Sequence, residues 1–479
     1  MISFYRFSVQ HFLITQRLRH ILIVLLSCLL SACAVAVRDF PAPQPLPEAF
    51  SASGDIAAPP QWWEAFDDAP LQRLIEQGLR DNPDLIAAYH RIEQAAAQAR
   101  AAGSALFPAL DAHSGADYAL SDPPATGWRS REEMMLGFAA SYEIDLWGRI
   151  RANIYAAEQV ALAVAEERAA AAVSLSAEIA STWYHYVEQK QQLALLQRQI
   201  ATNEHNVELV RSRFYANQAS GADVFQQSQF LEALRGDRYS VEANLRVLTH
   251  RLAVLIGTTP ERLRLPDAAS FPALPPLPET GLPIVLLQRR PDILAAYHRL
   301  QAADLRIAAA IAERLPKLSL AVSASGSAPD LQHFFNNWLA TLAGNLLLPI
   351  VDGGRRVAEV ERQRAAAAEA LQRYRQQILQ ALAEVENALA QERQQRLRLE
   401  SLRQQLHALD EANQLIRLRY LYGAMDFLRV LTSLINLQNM ERSVLRAERE
   451  LIDFRIALYR ALAGSESLPR PRTELHDAS

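Results

Sequence analysis

Cysteine is nearly missing from this chain: Cys28 and Cys33 are the two in 479 residues. That excludes a disulfide framework and a thiolate metal centre. No charge of one sign dominates either. Lys and Arg number 49 against 53 Asp and Glu, a net charge of −4, and the basic residues are spread rather than blocked. Nothing in that balance points to nucleic acid as a partner. The apolar stretch Ile21–Leu30 is far short of the ~20 residues that a membrane-spanning helix needs. Enzyme signatures are absent as well. There is no His pair at i, i+4 with a Glu, no Gly-x-Ser-x-Gly elbow and no phosphate-cradling Gly-rich loop. No catalytic residue, cofactor or metal is therefore expected. What is present is ample material for a core, since 50% of the residues are hydrophobic.

Residues 1–32 read as a targeting segment. Arg6, Arg17 and Arg19 form a basic region without acids, followed by the short apolar stretch and then by Leu30-Ser31-Ala32-Cys33. Small residues directly before a Cys resemble the lipobox of bacterial lipoproteins. That resemblance implies an acylated (palmitate-type) Cys33 at the new N-terminus; the alternative is an ordinary signal peptide with a chance Cys. Ala34, not an acid, follows Cys33, which in lipoproteins permits sorting to the outer membrane. Removal of 1–32 leaves 46 basic against 53 acidic residues, or −7.

Self-comparison shows a duplication. Asn82-Pro83-Asp84-Leu85-Ile86-Ala87-Ala88-Tyr89-His90-Arg91 recurs as Arg290-Pro291-Asp292-Ile293-Leu294-Ala295-Ala296-Tyr297-His298-Arg299, 208 positions on. Ile144-Asp145-Leu146-Trp147-Gly148-Arg149 matches Ile350-Val351-Asp352-Gly353-Gly354-Arg355 at an offset of 206, as Arg213-Phe214 matches Arg419-Tyr420. The expected organisation is a 1–32 signal peptide, a 33–60 anchored linker, a first repeat over 61–270, a second over 271–466, and a 467–479 tail. Within the repeats, β-hairpins are expected near 108–147 and 316–352, and helical hairpins over 148–257 and 354–463.

Proline is missing between Pro124 and Pro260 and again between Pro349 and Pro469. Because Pro costs ~3 kcal/mol inside a helix, these Ala-, Leu-, Gln-, Arg- and Glu-rich gaps predict long helices. Glycines punctuate them: Gly148 and Gly354 at the strand-to-helix turns, Gly221 and Gly423 near the middle, Gly257 and Gly464 at the end. A first arm of about 70 residues would reach about 105 Å. Leu193, Ile200, Val207 and Phe214 repeat at sevens, as do Leu371, Ile378 and Val385, which is a coiled-coil seam.

Ahead of each long arm the period changes to two. Leu110, Ala112, Ser114, Ala116, Tyr118 and Leu120 alternate with Asp111, His113, Gly115 and Asp117; Met134 to Ile144, Leu318 to Ala324 and Trp338 to Leu346 alternate likewise. Turns are expected at Ser121–Pro124 and Ser325–Pro329. Such runs are long enough for tilted membrane strands, and equally for a soluble sheet with one wet face. Four strands cannot close a barrel, so a membrane role demands oligomerisation. His185, in Trp183-Tyr184-His185-Tyr186, reads as part of an aromatic packing cluster; Tyr89 and Tyr297 read as packing residues, and Pro260–Pro283 as a linker.

Ser141-Tyr-Glu-Ile-Asp-Leu-Trp-Gly-Arg149, Leu348-Pro-Ile-Val-Asp-Gly-Gly-Arg355, Arg289-Arg-Pro-Asp-Ile293 and Trp62-Trp63 together resemble the TolC/NodT-type outer-membrane efflux proteins, from Trp62 to about Gly464. The resemblance implies a mainly α fold with a small β part, assembled as a homotrimer. Its long hairpins would form an α-barrel in the periplasm, and three sets of four strands one 12-stranded transmembrane β-barrel. It implies a passive channel in the outer membrane of a Gram-negative bacterium, with a periplasmic adaptor protein and an inner-membrane, proton-driven pump as partners, exporting small toxic compounds or drugs. The turns near Asn217–Ala222 and Gly423–Phe427 would be the periplasmic tip and gate. Leu428 matches a family Leu of the constriction, whereas Thr432 stands where relatives carry an Asp one helical turn further on. Asp223 and Asp426 are the acids left near the tip, as gate residues or as helix caps. A protein-secretion or metal-ion duct, and a lipid-anchored coiled-coil adaptor or scaffold without a pore, are the alternatives.

Overall fold

The computed structural model describes residues 38–464 apart from 43, 123–126, 267–269, 330–332 and 334–335. Cys33 and the targeting segment lie outside the described residues, as does part of the turn expected at Ser121–Pro124.

A 3-10 turn at Trp62–Phe66 leads into α1 (Ala69–Asp81) and α2 (Pro83–Gly103), then β1 (Ala109–Ser121) and β2 (Arg129–Ile144), then the arms α3 (Arg149–Tyr215) and α4 (Gly221–Leu255). The same order follows again: α5 (Pro283–Arg289), α6 (Pro291–Ala312), β3 (Lys317–Ala328), β4 (Trp338–Leu347), α7 (Arg355–Leu421) and α8 (Phe427–Leu462). The chain is mainly helical with one small sheet. Both long arms run 67 residues without a Pro, roughly 100 Å of helix each. None of the described helices is both long and apolar enough to cross a membrane.

The chain divides into two compact units. Among the described residues one comprises 91–164 and 295–374 with 38–42; the other comprises 44–90, 165–294 and 375–464.

The first unit holds the sheet, of order β1-β2-β3-β4 and antiparallel throughout. Ser325–Ala328, expected as a turn, is the end of β3 instead. The Gly/Ser composition that suggests a loop reflects small side chains on a paired strand, with Ser325 opposite Gly137 and Ser327 opposite Met135. In the same unit Tyr297 does more than pack. Its hydroxyl donates to Asp39 Oδ1 (3.0 Å) and accepts from the Phe40 amide (3.4 Å), holding the extended N-terminal arm on α6.

In the second unit a buried core forms where Trp62, Trp63 and Phe66 meet Tyr184 and Tyr459. Trp62 stacks on Tyr459 at 5.8 Å, and its Nε1 donates to Ser176 Oγ at 3.2 Å. Along α7 the buried positions Ile378, Ala381, Val385, Ala388, Glu392, Gln395 and Leu399 alternate spacings of three and four, the seam of a coiled coil. On α3 Ile200 and Val207 are buried in the expected seam, but Phe214 is 42% exposed, because the helix ends one residue later.

The Pro-rich segment between the repeats is not a free linker. Arg455, fully buried, donates from Nη1 to the carbonyls of Pro275 and Pro276, while its Nε and Nη2 grip Glu392 at 2.8 and 2.6 Å. The amide of Gly54 donates to Pro278 O at 3.0 Å and that of Glu279 to Ile56 O at 2.7 Å, so residues 54–56 pair with the same segment.

Both repeats close by the same device. Asn82 Nδ2 donates to Leu255 O (2.9 Å) at the end of α4, and Arg290 Nη1 donates to Ala461 O (3.2 Å) at the end of α8. Donor and acceptor recur at offsets of 208 and 206. Gly257 follows with φ +71°, where a Cβ would lie 2.1 Å from Asp81 O; at Gly464 it would lie 3.0 Å from Arg289 O.

Candidate functional site: the two-faced sheet and the hairpin tips

Because directly opposed residues point to the same side of a sheet, register alone sorts the four strands into two faces. One row runs Leu110–Ala140–Val322–Leu342, the next Ala112–Phe138–Ala324–Ala340, and a third Ser114–Leu136–Gly326–Trp338. That face is apolar and bare: Leu110 is 70% exposed and Leu342 76%. The opposite face runs Asp111–Ala139–Ser323–Thr341 and His113–Gly137–Ser325–Leu339. Apart from Leu339, these two rows are polar or small, and the His113 imidazole lies across Gly137, where a Cβ would come within 2.5 Å of Nε2. Among the described residues nothing pairs with the outer edges of β1 and β4. A sheet with one continuous apolar face and two free edges is a piece of a larger wall.

Gly148 and Gly354 sit at the strand-to-helix turns with φ of +71° and +84°, which a side chain rarely adopts. Around the first turn Asp145 accepts from the amides of Ile150 and Arg151, both at 3.0 Å, and so caps α3. Arg149 pairs with Glu143 (2.8 Å) and Glu313 (3.4 Å), and Trp147 Nε1 donates to Pro316 O at 2.7 Å. At the second turn Asp352 accepts from Gly354 N (3.1 Å) and pairs with Arg356 (2.8 Å). Each motif thus braces its own strand-to-helix turn, and the first is also tied to Glu313 and Pro316 just ahead of β3.

In the second unit the arms turn at 216–220 and 422–426. Asp223 and Ser220 form a reciprocal capping box at the start of α4, with bonds of 3.2 and 2.9 Å. Asp426 is the N-cap of α8, accepting from Arg429 N at 2.8 Å. Gly423 takes φ +74°. Leu428 is exposed, and Thr432 Oγ1 donates to Leu428 O one turn back at 2.8 Å. Arg213 binds the two turns together: its guanidinium lies 4.5 Å from the Tyr420 ring centroid and Nη1 donates to Tyr420 O at 3.4 Å. The matching pairs Arg213-Phe214 and Arg419-Tyr420 carried this contact in plain sight, as residues of equal offset rather than as partners.

His185 belongs to a charged cluster and not to an aromatic one. Its Nε2 lies 2.7 Å from Arg449 Nη1 and 3.4 Å from Asp453, while Trp183 stacks on Tyr186. Adjacent helix residues diverge by about 100°, so sequence neighbours were the wrong guide. Among the described residues no group of three or more His, Cys, Asp or Glu could hold a metal.

This arrangement, two long helical hairpins each following a β-hairpin with an unshielded apolar face, is the architecture of a channel subunit. The chain belongs to the family described as outer membrane efflux protein, whose pattern matches residues 74–258 and again 282–464. It is 31% identical over 458 residues to the pyoverdine export outer membrane protein OpmQ of Pseudomonas aeruginosa, covering 91% of this chain and 96% of that one. To the antibiotic efflux pump outer membrane protein ArpC of Pseudomonas putida it is 29% identical over 91% of this chain and 93% of that one. The solved outer-membrane channel OprN superposes with a TM-score of 0.83 at 27% identity, over 90% of this chain and 100% of that chain. The protein is an outer-membrane efflux channel component, and the family and its solved relatives are transport proteins rather than enzymes.

Proposed function

We propose that three copies of this chain close a 12-stranded barrel in the outer membrane, each supplying the four strands described. The carrying observation is the apolar row structure across β1–β4 combined with two open edges. In lipid every backbone group must be paired, so this sheet is admissible only as part of a closed wall. The long hairpins would form the periplasmic duct, and Cys33 would carry the lipid anchor. The repeats, 61–270 and 271–466, would each contribute one tip. Asp223, Gly423, Asp426, Leu428 and Thr432 would surround the gate, where a periplasmic adaptor docks and a proton-driven inner-membrane pump delivers small toxic compounds or drugs. Asp223 and Asp426 act at least as caps, which fixes where each return arm starts.

The test is gel mobility without heating. The trimer should run as a large species that boiling dissociates, and Cys33→Ser should remain in the membrane fraction. Leu342→Arg places a charge on the apolar face at ~2–4 kcal/mol per chain and should abolish the trimer, whereas Thr341→Arg on the polar face should not. Equal behaviour of the two substitutions would overturn the face assignment. Release of Cys33→Ser from the membrane would favour a lipid-anchored scaffold. A photocrosslinking probe at Ala424 should capture the adaptor.

A further inference from the structure

The charges of the two tips differ. From Asn206 to Phe225 the first tip carries Glu208 and Asp223 against Arg211 and Arg213, which balance. All four are engaged: Arg211 pairs with Glu208 at 3.0 Å, Arg213 covers Tyr420, and Asp223 closes its capping box. From Leu415 to Asn436 the second tip carries Arg417, Arg419 and Arg429 against Asp426 alone, leaving +2 per chain. All three arginines are exposed. Their guanidinium groups make no ion pair among the described residues, and Asp426 spends its carboxylate on the start of α8.

Two of these arginines share one groove. Between α7 and α8, Ile416, Arg419, Met425, Arg429, Thr432 and Asn436 are among the residues lining a cleft of about 530 Å³. Thr432 joins that cleft to Leu428 through its hydroxyl. The groove therefore offers two free cations, a neutral amide at Asn436, and no carboxylate in its lining. A ring of such groups selects for negative solutes, as acidic rings select for cations. Exposed arginines left without partners keep their full field, and three copies converging on one axis add their potentials.

We infer that the second tip makes this channel prefer anionic solutes, with Arg419 and Arg429 setting the preference and Thr432 marking the level where no acid opposes them. The inference rests on the trimeric channel proposed above. It adds a cargo class, small organic anions, to a duct that is otherwise generic.

The full-length trimer is inserted in planar bilayers under a tenfold KCl gradient, and the reversal potential is read. The expected sign is that of chloride permeating better than potassium. Arg419→Gln with Arg429→Gln should lower the chloride-to-potassium ratio by roughly two-fold or more, and the whole preference should fade at 1 M salt, where the Debye length is ~3 Å. Thr432→Asp should move the ratio the same way without removing an arginine. Both variants are exposed substitutions, and each is first shown to run as an intact trimer. A cation-preferring wild type, or variants that leave the reversal potential unmoved, overturns the inference while leaving the channel in place. Intact membrane-inserted trimers that pass no current overturn the channel reading, and the inference with it.

Discussion

Replacing Arg455 by Met should be among the most damaging single changes in the helical part of this chain. Arg455 is fully buried, 0% exposed, and its partner Glu392 is 4% exposed. Two hydrogen bonds of 2.8 and 2.6 Å join them, and the carbonyls of Pro275 and Pro276 take the remaining guanidinium donor. Met matches the stem of Arg but leaves Glu392 in a coiled-coil seam without its main partner, with Arg396 at 3.0 Å as the other cation. Breaking a buried pair from one side costs ~3–5 kcal/mol. Arg396, mostly solvent-exposed, recovers little of that. Removing both charges tells a different story: Arg455→Met with Glu392→Leu leaves no orphaned charge and should restore most of the loss. What remains is the two proline carbonyls, about 1–3 kcal/mol together. The double variant should therefore recover about 2 kcal/mol of what Arg455→Met loses, and Glu392→Leu alone completes the cycle that measures the coupling. Thermal unfolding of the detergent-solubilised protein by circular dichroism at 222 nm measures the stabilities. Limited proteolysis across Phe271–Pro278 reports whether the inter-repeat segment has come loose. If Arg455→Met melts like wild type, or the double variant is as unstable as the single, the pair does not hold the segment as argued.

Two further outcomes follow from the repeat closures. Gly257→Ala and Gly353→Ala share a positive φ, +71° and +63°, but only the first meets a neighbour, Asp81 O at 2.1 Å; nothing lies within 4 Å of the second. Both carry the left-handed penalty of ~1–2 kcal/mol, and Gly257→Ala should lose ~1–3 kcal/mol more by overpacking; equal melting temperatures would refute the close approach. Burial pushes the Asp292 carboxyl up, but the paired bonds from Arg290 and the Gln377 amide outweigh it and hold it below the ordinary 3.8. A depressed folded pKa gives stability that is complete above the unfolded value and lost as pH falls through the folded one. Melting temperature against pH should thus drop more steeply below about pH 4 in wild type than in Asp292→Asn; parallel curves would show that the pair contributes nothing.

What composition could reveal was whatever depends on period and punctuation. The Pro-free gaps located both 67-residue arms, and alternation located all four strands, because helix and strand formation depend on local pattern. The errors have a common cause in partners distant along the chain. Ser325–Ala328 resembles a turn until β2 is set beside it. His185 has aromatic neighbours in sequence and charged ones in space. Glu392 and Gln395 break the apolar repeat of α7, yet both are buried, Glu392 because Arg455 meets it 63 positions later and Gln395 because Ala447 O and Glu450 accept its amide.

The duplication could have exposed more of this than it did. Leu255 and Ala461 stand at the offset shared by the long arms, and Asn82 and Arg290 at the offset shared by the Pro-Asp helices. A donor in one repeat therefore predicts a donor in the other, even though amide has become guanidinium. Reach explains the exchange. The Asn82 amide is confined to its own junction, where it takes Leu255 O and caps α2 through Asp84 and Leu85. The longer Arg290 side chain takes Ala461 O and also pairs with Asp292 and Glu384, at 2.6 and 2.9 Å. The second repeat thus ties its closure to the long arm α7 through charge, whereas the first closes with neutral hydrogen bonds. The tips diverge in the same direction, with balanced and engaged charges in the first and unpaired arginines in the second. Two copies of one hairpin need only one to keep its charges satisfied within the chain, which leaves the other free to present them to what passes.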